Sequence, residues 1–149
     1  MYQRIMAAID SNFADSKVLD TAIDMARKCG AKLALCHALD QTILAQQFPR
    51  VVFPDGIAPI EDSLRNGANE FLDQAAERVR AQGLEPEIRL IDSEQDHVPD
   101  MLARAAVEWE ADLLVIGLHG SQGVERLLGG SVAEQLTRKA GVSLLLVRS

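Results

Sequence analysis

The chain has 149 residues, enough for one domain that buries roughly two-thirds of the surface its unfolded form exposes. Its 22 acidic against 15 basic side chains leave a formal net charge of −7, which argues against loose electrostatic binding to nucleic acid or to anionic membranes. No apolar run approaches the ~18 residues that span a bilayer, and no secretory leader opens the chain, so a cytoplasmic protein without membrane insertion is expected.

Residues 3–10 form the first expected strand, with Ile5-Met6-Ala7-Ala8-Ile9 closing on Asp10. A helix near 15–30 follows, its core stripe running through Val18, Leu19, Ala22, Ile23, Ala26 and Cys29 at helical spacing. Gly30 stands where a left-handed C-terminal cap belongs, and residues 32–39 supply a second apolar strand. From Gln41 to about Pro59 no period survives Pro49, Pro54, Asp55-Gly56 and Pro59, and the stretch reads as a long mobile loop leaving the second strand. A second helix near 60–82 presents Leu64, Ala68, Phe71, Leu72, Ala75 and Val79, turns its Asp and Glu residues to solvent, and stops at Gly83.

Strand three, near 86–92, alternates Ile88 and Leu90 with Glu87 and Arg89, the pattern of a sheet edge. Helix three carries Val98, Leu102, Ala105, Ala106 and Trp109. Leu113-Leu114-Val115-Ile116 is strand four, Val132, Leu136 and Ala140 mark helix four, and Val142 to Val147 is strand five. Strict alternation of strand and helix predicts one three-layer α/β/α domain over 1–149, with a parallel five-stranded sheet and right-handed crossovers, and the strand order expected of it is 3-2-1-4-5. Strands one and four are then neighbours whose crossovers leave in opposite directions, opening a crevice above the ends occupied by Asp10 and Gly117.

After strand four the chain reads Gly117-Leu118-His119-Gly120, then nine residues, then Gly130-Ser131-Val132. Strand, glycine loop and helix is how a doubly wound fold holds phosphate. Gly117 removes a Cβ that would crowd a ligand, and Gly120 admits the positive φ that turns successive N–H groups inward. Gly130 opens the first turn of helix four to an anion, while Ser131 offers a hydroxyl to a phosphate oxygen or a metal ion. The bland alternative is a pair of tight turns with Ser131 as an ordinary N-cap.

These residues resemble the universal stress protein family, in the ATP-binding subgroup with the G-x2-G-x9-G-[ST] motif. The likeness covers nearly the whole chain: the opening Ile5 to Asp10, Ala111 to Gly117, Gly130 to Glu134, and Val142 to Val147. It implies a Rossmann-like fold of the adenine nucleotide alpha hydrolase type, and ATP or AMP bound between strands one and four, with Mg2+ as companion. It also implies the backbone of Ala8 and Ile9 as contacts, Ala38 and Ile116 as apolar walls for the base, and a homodimer. Two positions depart from the family pattern: Ser11-Asn12 replaces Gly-Ser, and Ser93-Glu94-Gln95-Asp96-His97 replaces a glycine before helix three, at one rim of the pocket.

Phosphates would repel Asp10, so its favourable place is at the nucleoside, accepting from ribose hydroxyls or the adenine amino group; an Asx turn into helix one is the plainer role. His119 faces either a phosphate or water. His37, in an apolar strand, and His97, near a helix start, read as satisfied structural histidines, and Arg126 as a solvated loop charge. Cys29 and Cys36 lack a second pair to complete a zinc set and read as reduced thiols of the core. No catalytic residue or protein metal site emerges.

The leading function is a cytoplasmic nucleotide-binding dimer whose occupancy changes its affinity for an unknown protein partner. A slow ATPase or transferase is the alternative, weakened by the lack of a Gly-x4-Gly-Lys-[Ser/Thr] loop or an obvious catalytic Lys or Glu in the motif. A nucleotide-free dimerising module is another. A phosphoacceptor reading rests on Asp10 and Asp92 at the ends of strands one and three, but lacks a lysine after strand five. Strand five itself is an edge that is apolar on both faces, without lysine or proline, and predicts antiparallel pairing with a second copy.

Overall fold

The computed structural model describes residues 1–11, 13–14, 17–40, 58–93, 96–118, 135–136, 138 and 140–148. Strand β1 (Arg4–Ala8), helix α1 (Val18–Cys29), β2 (Lys32–Asp40), α2 (Ala58–Ala81), β3 (Glu87–Ser93), α3 (Val98–Glu108), β4 (Leu113–Leu118) and β5 (Ser143–Arg148) follow in order. Gln135, Leu136 and Arg138 are also helical and belong to the expected fourth helix. The five strands form one sheet in the order β3-β2-β1-β4-β5, the order expected from the sequence. Every pairing is parallel, with Ala8 opposite Cys36, Met6 opposite Leu114, and Gly117 opposite Val147.

Side chains alternate between two cores because successive strand residues point to opposite faces. Ile5 and Ala7 of β1, Ile9 just beyond it, Leu33 and Leu35 of β2, and Leu113 and Val115 of β4 pack under α1 and α2, where Leu19, Ala22, Leu72, Ala75 and Val79 are buried. Met6, Ala34, Cys36, Leu114 and Ile116 face the other way, against Leu102, Ala105 and Ala106 of α3, Trp109 at its C-cap, and Leu136. Burying each of the larger aliphatic groups contributes about 1.5–3 kcal/mol, so the central strands, covered on both faces, carry most of the drive to fold.

Helix ends are closed by one device. At Gly30 (φ 64°) the N–H bonds the Arg27 carbonyl at 3.4 Å while that of Ala31 bonds Ala26 at 2.9 Å, the left-handed cap that the sequence predicts. Helix α3 ends the same way without glycine: Glu110 takes φ 59°, and Ala111 N–H reaches the Ala106 carbonyl at 2.8 Å. A side chain in that region costs about 1–2 kcal/mol, here outweighed by the two bonds that satisfy the last turn.

Three expectations need correction. Leu64 is 48 % exposed, so the buried stripe of α2 begins at Ala68. At 24 residues α2 is about 36 Å long and outruns the seven-residue β3 beneath it, about 23 Å, leaving its first turns without a sheet to cover. Pro59, read as a breaker, lies in the first turn of α2, where a missing N–H costs nothing. Helix α1 starts at Val18, not near 15.

The N-terminal edge of the sheet is fastened by side chains from distant parts of the chain. The Asp112 carboxylate accepts the Gln3 N–H at 2.8 Å and the Arg4 N–H at 3.0 Å, and the Asp112 N–H donates to the Arg4 carbonyl at 2.9 Å. Arg4 also stacks on the Trp109 ring, 4.1 Å from its centroid, and Trp109 Nε1 donates to Glu87 at 2.7 Å. Asp112→Ala is expected to cost about 2 kcal/mol, since a carboxylate with two backbone donors is lost. Denaturant unfolding measures it, and an unchanged midpoint would contradict the clamp.

Candidate functional site

The crevice is built where β1 and β4 end side by side. Their neighbours β2 and β5 lie beyond, so four parallel strands present their C-terminal ends along one edge. Met6 lies opposite Leu114, and two residues further along each strand Ala8 and Ile116 point to the same face. Ala38, on β2, shares the face: Ala8 and Ala38 are half-buried against the second core cluster, of which Ile116 is a buried member. Three residues far apart in sequence therefore line one apolar floor of small and medium side chains.

Ile9 is different. Its side chain is buried in the first cluster, under α1 and α2, leaving its backbone as the part that can face a ligand. The Ile9 N–H donates to the Cys36 carbonyl at 2.7 Å, and the Ile9 carbonyl accepts from His37 Nδ1 at 2.8 Å. Asp10, half-buried, begins a turn in which its carbonyl accepts the Phe13 N–H at 3.1 Å. Gly117 and Leu118 are the last two residues of β4, paired with Val147 and Arg148. His119, Gly120, Gly130, Ser131 and Val132 lie outside the described residues, as do Asn12, Arg126 and the 41–57 stretch.

His37 is satisfied, as its setting in an apolar strand predicts. Because a carbonyl oxygen only accepts, Nδ1 carries the proton. Phe71 of α2 meets the ring edge-on, with centroids 4.9 Å apart. Burial lowers the imidazole below its ordinary value, opposed by the Ile9 carbonyl and the Asp10 carboxylate, so the ring is neutral at pH 7. His97 stands at the N-cap of α3 and its carbonyl takes the Met101 N–H at 3.0 Å. Cys36 is a buried core thiol, pushed up to about 12 by burial and partly opposed by Arg89. That value leaves almost no thiolate near neutral pH, in keeping with a packing role.

The rim ahead of α3, where the family pattern carries glycine, is tied by side chains. Ser93 Oγ accepts the Asp96 N–H at 3.1 Å, and Arg104 binds the Asp96 carboxylate at 2.6 Å, holding it below the usual carboxylate range. Sequence reasoning flagged this departure but missed the tie, which links positions eight residues apart across a strand-to-helix connection. Asp92, at the end of β3, is engaged by Arg65 of α2 through Nε at 3.1 Å. The strand order puts β2 between β1 and β3, about 10 Å across, so Asp10 and Asp92 form no single acidic cluster and the phosphoacceptor reading loses its basis.

Among the described residues no group of three or more His, Cys, Asp or Glu side chains could hold a metal ion. No helix among them is long and apolar enough to cross a membrane. A groove of about 370 Å³ in the outer layer lies between α1 and the end of α2, lined by Asp20, Ile23, Asp24, Arg78, Ala81 and Gln82. None of these is a crevice residue, and the Arg78–Asp20 ion pair at 2.7 Å runs through it.

Fold and crevice define a doubly wound α/β domain of Rossmann-like type, open at the switch point between β1 and β4. The chain belongs to the universal stress protein family, whose model matches residues 1–148. A family protein from Burkholderia pseudomallei shares 28 % identity with a TM-score of 0.78, over 99 % of this chain and 97 % of that one. A universal stress protein in complex with cAMP is also 28 % identical, with a TM-score of 0.68 and coverage of 99 % and 97 %. The protein from Archaeoglobus fulgidus in complex with dAMP is 25 % identical, with a TM-score of 0.63 and coverage of 98 % of each chain.

Proposed function

We propose that this protein binds an adenine nucleotide in the crevice between β1 and β4 and acts in the cytoplasm as a nucleotide-dependent regulatory dimer. The observation that carries the reading is the convergence of Ala8, Ala38 and Ile116 on one apolar floor beside Asp10, at the ends of adjacent strands. A flat apolar floor suits a purine, and a carboxylate at its margin suits hydroxyl or amino donors of the nucleoside. Similar proteins in complex with cAMP and dAMP support the adenine moiety.

The preference for ATP rests on the G-x2-G-x9-G-S spacing that begins at Gly117. In that reading the amides of 117–131 hold the phosphates, replacing cationic side chains in a chain of net charge −7. With ATP, Mg2+ would accompany the triphosphate, and Ser131, outside the described residues, would offer its hydroxyl to a phosphate oxygen or to that ion. AMP fits the same floor with fewer phosphate contacts.

Calorimetry on Asp10→Ala tests the reading. A lost charge-assisted bond is worth about 1.5–3 kcal/mol, so ATP and adenosine should both weaken, by roughly tenfold to a hundredfold. A loss confined to ATP would place Asp10 at the phosphates or their metal ion and overturn that orientation of the nucleotide.

A further inference from the structure

Ala8 is the last residue of β1 paired with β2, opposite Cys36. One residue later both backbone polar groups of Ile9 are still tied to β2, by different means. The N–H uses the Cys36 carbonyl at 2.7 Å, whereas the carbonyl is taken by a side chain, His37 Nδ1, at 2.8 Å. The imidazole thus stands in for a ladder rung at the point where the chain leaves the sheet. The ring is itself held edge-on by Phe71. The next residue is Asp10, whose own carbonyl closes the following turn onto Phe13.

We propose that His37 is a positioning residue of the nucleotide crevice: its Nδ1–H fixes the Ile9 carbonyl and so sets the direction in which Asp10 leaves β1 toward the nucleoside. This rests on the assignment of Asp10 to the nucleoside. His37 faces the α1–α2 side of the sheet with Leu33 and Leu35, while the apolar floor lies on the α3 side, so it acts through the backbone rather than by touching the ligand. A side-chain donor fixes one peptide plane where a regular ladder would draw Asp10 back into the sheet.

The test uses the full chain with three substitutions. His37→Phe keeps a ring against Phe71 and deletes the donor; His37→Asn restores an N–H the same number of bonds from Cα as Nδ1. Affinity for both ATP and adenosine should fall about tenfold in His37→Phe and return to within about threefold of wild type in His37→Asn, the size expected for one well-made hydrogen bond. On an Asp10→Ala background His37→Phe should have no further effect, because it acts through Asp10. Equal losses in the presence and absence of Asp10, or no rescue by Asn, would overturn the proposal. If wild type binds neither ligand, the nucleotide reading fails, and the proposal with it. Long-range 1H–15N spectra of wild type decide independently of any variant: the Nδ1–H tautomer is required, and the Nε2–H tautomer rules the proposal out.

Discussion

A chain carrying valine at both Gly120 and Gly130 is expected to fold and to lose ATP binding altogether. A phosphate loop of this spacing needs positive φ at Gly120, which a β-branched residue does not adopt, and an open first turn of the last helix at Gly130, which two methyl groups would fill. Both changes remove amide contacts to phosphate oxygens, each worth about 1.5–3 kcal/mol, so the double variant should lose from about a hundredfold to more than about ten-thousandfold in affinity, enough to take binding out of the measurable range. Both positions lie outside the described residues, and what ties them to the crevice is β4, which delivers Gly117 and Leu118 to its edge. Calorimetry checks the result. Unchanged ATP affinity in a folded double variant would show that the phosphates are held elsewhere.

The second large effect concerns assembly. Strand β5 is an edge of the sheet, paired on one side with β4 from Ser143 to Arg148. Leu146 is 41 % exposed, whereas Leu145 packs against the larger core, so Leu146→Lys is the substitution that probes an interface without disturbing the monomer. Antiparallel pairing of β5 with its copy about a two-fold axis would use the free edge and halt further growth. Sedimentation should show a wild-type dimer and a monomeric Leu146→Lys, in which two like charges meet near the axis. A wild-type chain that stays monomeric at high micromolar concentration, with and without ATP, would sink the dimer.

Topology was legible because it rests on local period. The two-sided apolar runs of β1 and β4 fit strands covered on both faces, and the alternation in Glu87 to Leu90 marked β3 as an edge, while β5 is apolar on both faces although it lies at the other edge. The crevice was legible for the same reason, since order alone brings Asp10 and Gly117 together. What stayed hidden is side-chain bonding between distant positions. Asp112 and Gln3 are 109 residues apart, and no local pattern announces that contact, although the placement of β1 beside β4 would have suggested it. His37 was read as a satisfied histidine, but not by which partner, because the partner is a carbonyl beyond the end of the paired strand. Leu64 misled because helical period says which face is apolar and not how far the sheet beneath it extends.

Amide chemical-shift mapping during an ATP titration tests the central claim most directly. Shifts should concentrate at Ala8, Ile9, Asp10, Ala38, Ile116 and Gly117, and leave the α1–α2 groove around Asp20, Asp24 and Gln82 unmoved. Perturbation centred on that groove, or none at millimolar ATP, would contradict an adenine nucleotide site between β1 and β4.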